Sequence, residues 1–188
     1  MRVIAGTHRG RRLRGPQGTA LRPTSDRVRE ALFSILGNRL PDSRVLDLYA
    51  GTGAIGIEAL SRGAAHVTAV ESRAASLALL RHNVTDCQMT EAVTIQARTV
   101  QQFLTRPKLW QGPYDIIFAD PPYDAVRDLE QMILRIGAGL GTSDAWLIIE
   151  HASKSSLPET LGPLRFLKRY VYGDTSLSLY AFPTEAAA

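Results

Sequence analysis

The sequence predicts an α/β fold, a doubly wound and mostly parallel seven-stranded sheet with a C-terminal β-hairpin, preceded by a basic arm and one helix. Three observations predict it. Between residues 44 and 151 short apolar runs alternate with helical stretches, the rhythm of a parallel sheet with helices on both faces. The first run dissolves into glycines just before a helix begins, as it does at the ligand-binding edge of open α/β sheets. The last two runs are separated only by Gly173-Asp174, which closes a hairpin and leaves no room for a crossover.

The elements follow in order. Residues 2–15 predict a short β-hairpin or extended arm, with turns supplied by Gly6, Gly10 and Gly15. A helix follows, because Val28, Ala31, Leu32, Ile35 and Leu36 fall on one apolar stripe. Ser25 or Thr24 caps its start and Gly37 stops it. Arg29 and Phe33 lie off that stripe and are expected to face away from the core. Strands are expected at 45–51, 66–72, 93–98, 114–123 and 145–151, and helices at 54–63, 73–84, 100–106 and from 123 to about Leu134. The hairpin strands are RFLKRYVYG (165–173) and TSLSLYAF (175–182). The chain reads as one domain over 1–188, with an N-terminal extension at 1–40 and a core at 44–182.

Composition narrows the class. With 45% hydrophobic and 21% charged residues, the chain is that of an ordinary globular protein. No apolar run reaches the roughly 18 residues of a membrane span, and MRVIAGTHRG lacks the apolar stretch of a secretory signal. Cys87 is the sole cysteine, which excludes an internal disulfide and a Cys-built zinc site and suits a reducing cytoplasm. His8, His66, His82 and His151 have no ligand spacing, so no metal is expected. Charge is uneven: residues 1–29 hold eight arginines and one acid, Asp26, for a net +7, while the rest of the chain nets −3. An all-arginine arm on a mildly acidic body suits a polyanion, because guanidinium forks match phosphate oxygens in pairs.

Two segments carry chemistry. In Asp47-Leu48-Tyr49-Ala50-Gly51-Thr52-Gly53-Ala54-Ile55-Gly56, glycines let backbone approach a ligand, and the next helix offers free N–H groups. Glu71 ends the second strand, where an acid accepts hydrogen bonds from ribose hydroxyls. Gly51-x-Gly53-x-x-Gly56 also matches a dinucleotide fingerprint, which keeps a nicotinamide-dependent oxidoreductase open. Asp47 weighs against that alternative, since a carboxylate there repels a pyrophosphate and suits a cationic cofactor such as S-adenosylmethionine. The second segment is Asp120-Pro121-Pro122-Tyr123. Its prolines remove N–H donors, so that Asp120 and the Pro121 carbonyl can both accept from one planar amine. Tyr123 offers a face for a stacked base, an interaction of about 1–3 kcal/mol.

DLYAGTG, the strand ending in Glu71, and DPPY together resemble a Rossmann-like class I S-adenosylmethionine-dependent methyltransferase acting on a nucleobase amine. From RVIAG through RPTSDRVREALF to YGDTSLSLY, residues 1–182 resemble the RsmD family of bacterial 16S ribosomal RNA guanine-N2 methyltransferases. The resemblance implies methylation of guanine 966 in 16S rRNA, with S-adenosyl-L-methionine as cofactor. It implies cofactor contacts from Asp47, Tyr49, Ala50, Gly51, Thr52, Gly53, Glu71, Ser72, Thr99 and Asp120, and an amine-binding site at Asp120, Pro121, Pro122 and Tyr123. After the third strand this chain carries Arg98-Thr99 where many such enzymes present an acid to adenine, so adenine is expected on backbone groups or Thr99. Arg9, Arg11, Arg12, Arg14, Arg22 and Arg29 are expected to grip RNA, free or within a 30S particle, from a cytoplasmic monomer. Methylation of another nucleobase amine, or an RNA-binding assembly factor that keeps the cofactor fold, remain the alternatives.

Overall fold

The computed structural model describes residues 1–16, 25–122 and 139–181. Five parallel strands form the body of the sheet: β1 (Arg44–Leu48), β2 (His66–Glu71), β3 (Val93–Ala97), β4 (Tyr114–Ala119) and β5 (Gly141–Ala152). Three more follow, β6 (Thr160–Leu161), β7 (Leu164–Tyr172) and β8 (Thr175–Ala181), and the order across the sheet is β3-β2-β1-β4-β5-β8-β7-β6. The chain builds outward from β1 in one direction and then restarts at β4 on its other side. That reversal opens a crevice beyond the carboxyl ends of β1 and β4.

Alternate side chains of the central strands feed two core layers. Val45, Val67, Ile116 and Ile148 pack with α1 (Asp26–Leu36), α2 (Ala54–Ser61) and α3 (Ala74–Asp86). Leu46, Leu48, Ile117 and Leu147 pack on the other face, with Val100, Phe103 and Leu104 of α4 (Val100–Leu104). With both faces covered, the strands read as continuous apolar runs. Among the described residues no helix is long and apolar enough to cross a membrane.

The hairpin, the parallel strands, the Ser25 cap on Val28 N–H and the Gly37 stop all stand as the sequence predicts. Two expectations change. Among the described residues the sheet has eight strands, because two residues of β6 pair with Arg165 and Leu164 at the start of β7. A two-residue strand is too short to carry a period, and Gly162 turns it at φ 62°. The second change concerns α1. Its buried face is Val28, Arg29, Leu32, Phe33 and Leu36, so Arg29 and Phe33 face inward and Ala31 and Ile35 are only half-buried.

The N-terminal arm causes that rotation. It folds back on itself with one bridge, Arg2 to Arg12, and Val3 and Leu13 enter the core. The arm is then tied to α2. The buried Glu58 carboxylate accepts from Ile4 N–H at 2.7 Å and Ala5 N–H at 3.0 Å, and Thr7 N–H donates to the Ser61 carbonyl at 2.7 Å. Under this cover Arg29 Nη2 donates to the Arg2 carbonyl and to Asp26, both at 2.8 Å, while the Arg62 guanidinium sits 4.8 Å over the Phe33 ring.

Candidate active site

The strand registers bring three chemically loaded positions to one level. Leu48 of β1 pairs with Val70 of β2 and with Ala119 of β4, so the next residues, Tyr49, Glu71 and Asp120, stand side by side where the strands end. At about 4.8 Å per strand, the Glu71 and Asp120 backbones flank Tyr49 roughly 10 Å apart. The Asp120 N–H still reaches the Leu48 carbonyl at 3.4 Å. Tyr49 takes a left-handed backbone with φ 63°, rare outside glycine, and turns the chain out of β1 into the loop.

Glycine is required at two places, Gly53 in that loop and Gly56 in the first turn of α2. At Gly53 φ is 79°, and a Cβ would lie 2.3 Å from Leu80 Cδ1. At Gly56 a Cβ would press on Val67 Cγ1 at 2.8 Å and stand 3.6 Å from Asp47 Oδ2, so glycine lets α2 settle directly on β1 and β2.

Asp47 lies beneath this loop and is 1% exposed, with no hydrogen-bond partner at Oδ2. Burial pushes its carboxyl up to about 8; the charges of Asp120 and Glu71 add to the rise and the Gly56 N–H opposes it. A buried carboxylate oxygen without a donor fits a cationic group, and the donor set suits a ligand bearing an ammonium or sulfonium.

Glu71 is buried and already organised. Its Oε2 accepts from Gly51 N–H at 2.9 Å, and its Oε1 accepts from Ser72 and Arg73 N–H, each at 2.7 Å. The side chain therefore pins the glycine loop to the end of β2 and keeps a lone pair on Oε2 for a further donor. Ala50 N–H closes the same junction on the Val70 carbonyl at 3.0 Å. Asn83 secures the other side of the loop by donating to the Thr52 carbonyl at 2.9 Å.

Other expected residues fall differently. Thr99 caps α4: its Oγ1 accepts from Gln102 N–H at 3.1 Å and its own N–H donates to Gln102 Oε1 at 3.2 Å, so its backbone donor is taken. Pro121 is buried and Pro122 exposed, while Tyr123 and Arg22 lie outside the described residues. Arg9, Arg11, Arg12 and Arg14 are all exposed. Arg11 reaches the Asp86 carbonyl, and Arg14 Nε pairs with the Asp86 carboxylate at 3.2 Å. Arg29 is not part of this surface, because it is fully buried beneath the arm and its guanidinium is held by Arg2 and Asp26. His151 bonds to Ser178 Oγ at 2.8 Å and to the Ala152 carbonyl at 2.9 Å, a structural pairing between β5 and β8.

Sequence reading missed Asn83 and Glu58, two of the side chains that fasten the arm. Asn83 is 1% exposed, accepts from Arg14 N–H at 2.8 Å and donates to the Arg14 carbonyl at 3.0 Å. The only local signal was the Glu58–Arg62 spacing of a helical ion pair, here 2.7 Å. Among the described residues no group of three or more His, Cys, Asp or Glu could hold a metal.

The comparisons with known proteins agree with this architecture. The chain is 34% identical over 181 residues to Ribosomal RNA small subunit methyltransferase D of Escherichia coli, covering 96% of this chain and 89% of that one. It is 39% identical over 127 residues to the protein of the same name from Haemophilus influenzae, covering 65% and 64%. The solved structure of yhhF from Escherichia coli superposes with a TM-score of 0.84 at 29% identity, over 98% of this chain and 99% of that one. An RNA methyltransferase from Salinibacter ruber, solved with S-adenosyl-L-homocysteine, shares the fold at a TM-score of 0.62 and 12% identity, over 88% and 96%. The class I methyltransferase architecture expected from the sequence is thus the one found. A family described as Conserved hypothetical protein 95 matches residues 1–181, and the chain belongs to that family, the RsmD family it resembles.

Proposed function

We propose that this protein transfers the methyl group of S-adenosylmethionine to the exocyclic N2 amine of a guanine in 16S ribosomal RNA, guanine 966 by the family resemblance. The observation that carries the reading is the level edge of β2, β1 and β4, with Glu71 on one side, Asp120 on the other and the unpartnered Asp47 oxygen buried between. The relatives' names support a ribosomal RNA substrate.

Asp47 would hold the cationic methionine end of the cofactor, Glu71 the ribose hydroxyls, and the Gly51-Thr52-Gly53 backbone the space between. The cofactor, when bound, supplies an electrophilic methyl on a sulfonium. The chain must prepare the nucleophile, since the guanine N2 lone pair is delocalised into the ring. Asp120 and the Pro121 carbonyl accept the two amine hydrogens, which fixes the plane of the amine and turns its lone pair toward the cofactor side. On accepting that methyl, the guanine N2 would develop positive charge. The Asp120 carboxylate stabilises that charge and then takes the proton. Alignment supplies much of the remaining barrier reduction. The target base must leave its stack to reach this edge, so an unpaired or extruded guanine is expected.

Nucleoside mass spectrometry of 16S rRNA from strains with and without the gene tests the reading. One N2-methylguanosine should disappear and return when the purified protein and S-adenosylmethionine are added. An unchanged methylation pattern would overturn it.

A further inference from the structure

We infer that the outer edge of β7 and the tip of the β7–β8 hairpin form a second RNA surface, holding single-stranded RNA next to the target base. The inference rests on the RNA reading above and extends it to a part of the chain that the basic arm does not include.

Ala152 at the end of β5 pairs with Thr175 at the start of the antiparallel β8, so the Gly173-Asp174 turn emerges at the same sheet edge as Asp120. Ser153 N–H donates to the Asp174 carbonyl at 2.8 Å, and Arg169 holds Ser176 Oγ at 3.1 Å and the Ser153 carbonyl, which anchors the tip. In strand order β7 lies three places from β4, about 14 Å at the usual spacing. It stands on the side away from Glu71. The arm's Arg11 and Arg14 sit by Asp86 at the end of α3, toward the opposite end of the sheet. An RNA chain crossing the edge at Asp120 would meet both basic surfaces.

β6 covers Leu164 and Arg165, and the Glu159 carbonyl takes the Phe166 N–H at 2.9 Å, so among the described residues β7 beyond Phe166 has no strand on its outer side. That open edge carries the exposed large apolar side chains Leu167 and Val171, at 51% and 59% exposure, and begins beside Phe166, whose ring packs edge-on against Tyr180 at 5.6 Å. Among them in sequence are the exposed Arg165 and Lys168; Arg169 is committed to the tip, and the nearest acid along the strand is Asp174 in the turn, since none lies between Leu164 and Tyr172. Lys168 Nζ rests 4.9 Å from the Tyr170 ring centre. An open apolar edge invites another strand, but a second copy pairing there would set cations against cations. RNA satisfies both features together: phosphates meet the cations, and unstacked bases meet the apolar and aromatic side chains.

The test compares wild type with an Arg165→Ala/Lys168→Ala double variant and with Val171→Asp. Binding and single-turnover methylation are measured on 16S rRNA from a strain lacking the gene. The double variant should keep the wild-type thermal midpoint and S-adenosylmethionine affinity. Its log-affinity versus log-salt slope for RNA should flatten by about 0.7 for each lost phosphate contact. Val171→Asp should also weaken RNA binding and leave cofactor binding alone. If wild type methylates the RNA and both variants bind it equally well, the surface is wrong and the activity stands. A wild type that does not methylate this RNA overturns both readings. A wild-type dimer in sedimentation that Val171→Asp dissolves would make this edge a self-interface and overturn the RNA assignment.

Discussion

Asn83 donates its side-chain amide to the carbonyl of Thr52 at 2.9 Å and so ties the last turn of α3 to the glycine loop. The same side chain exchanges two hydrogen bonds with the backbone of Arg14. One buried amide therefore joins the basic arm to the loop expected to hold the cofactor. Asn83→Ala would leave the Thr52 carbonyl and both Arg14 backbone groups without a partner, at about 1–3 kcal/mol for each group that stays buried. The thermal midpoint should fall, and calorimetry should show weaker S-adenosylmethionine binding. Wild-type affinity in a folded Asn83→Ala variant would show that the loop holds its shape without the arm.

The pH dependence of cofactor binding should report Asp47. Its carboxyl is pushed up to about 8, so the folded chain retains a proton there that the unfolded chain has released above pH 4. Folding stability should therefore decline as pH rises from about 4 to 8 and then level off. A cationic ligand beside Asp47 favours the ionised form, so binding near pH 7 should release a proton. Affinity should climb with pH up to about 8. Calorimetry in buffers of different ionisation enthalpy measures that proton, and Asp47→Asn should remove the protein's share of it. No difference between wild type and Asp47→Asn would place the cation elsewhere.

Glu71 is expected to act on the loop and the ligand together, because it already accepts from Gly51, Ser72 and Arg73. Glu71→Gln should lower S-adenosylmethionine affinity tenfold or more, in line with about 1.5–3 kcal/mol for a hydrogen bond to a charged group. It should also lower the thermal midpoint, since an amide NH2 would face backbone donors. Unaltered affinity would mean that the ribose is held by other groups.

The arginines of the N-terminal region should divide into two kinds. Replacing Arg9, Arg11, Arg12 and Arg14 by alanine should raise the KM for RNA and flatten its salt slope by about 0.7–0.9 per lost contact, with cofactor affinity kept. Arg29 should behave otherwise, because it is buried and two of its donors, Nε and Nη1, have no partner. Arg29→Ala should destabilise the fold, and Arg29→Met, which refills the volume, should do so less. Neither should move the salt slope in a folded sample. A changed slope in folded Arg29→Met would return this residue to the RNA surface.

How much of this was legible depended on where each residue's partners lie. Glu71 and Asp120 could be placed because each closes an apolar run, and Asp47 because it interrupts the first run one residue before its end, so that all three lie toward the same sheet edge. The pairing of β1 with both β2 and β4 then followed from the crossover rhythm. Arg29 was misplaced because helical periodicity counts arginine as outward, whereas here a segment 27 residues earlier folds over it. Glu58 and Asn83 were invisible for the same reason, their partners lying 54 and 69 residues away. β6 left no trace, since two residues have no period.

The most direct test of the account is single-turnover methylation by Asp120 variants. If the carboxylate orients the guanine amine, Asp120→Ala should stay folded, bind S-adenosylmethionine with close to wild-type affinity and lose about a hundredfold or more in rate. That loss matches one preorganised transition-state contact of roughly 2.7–4 kcal/mol. Asp120→Asn keeps a carbonyl acceptor in place and should retain more activity than alanine, though less than wild type. Equal losses in Asn and Ala would assign the effect to charge, not to acceptor geometry. A folded Asp120→Ala that methylates at the wild-type rate would contradict the mechanism outright.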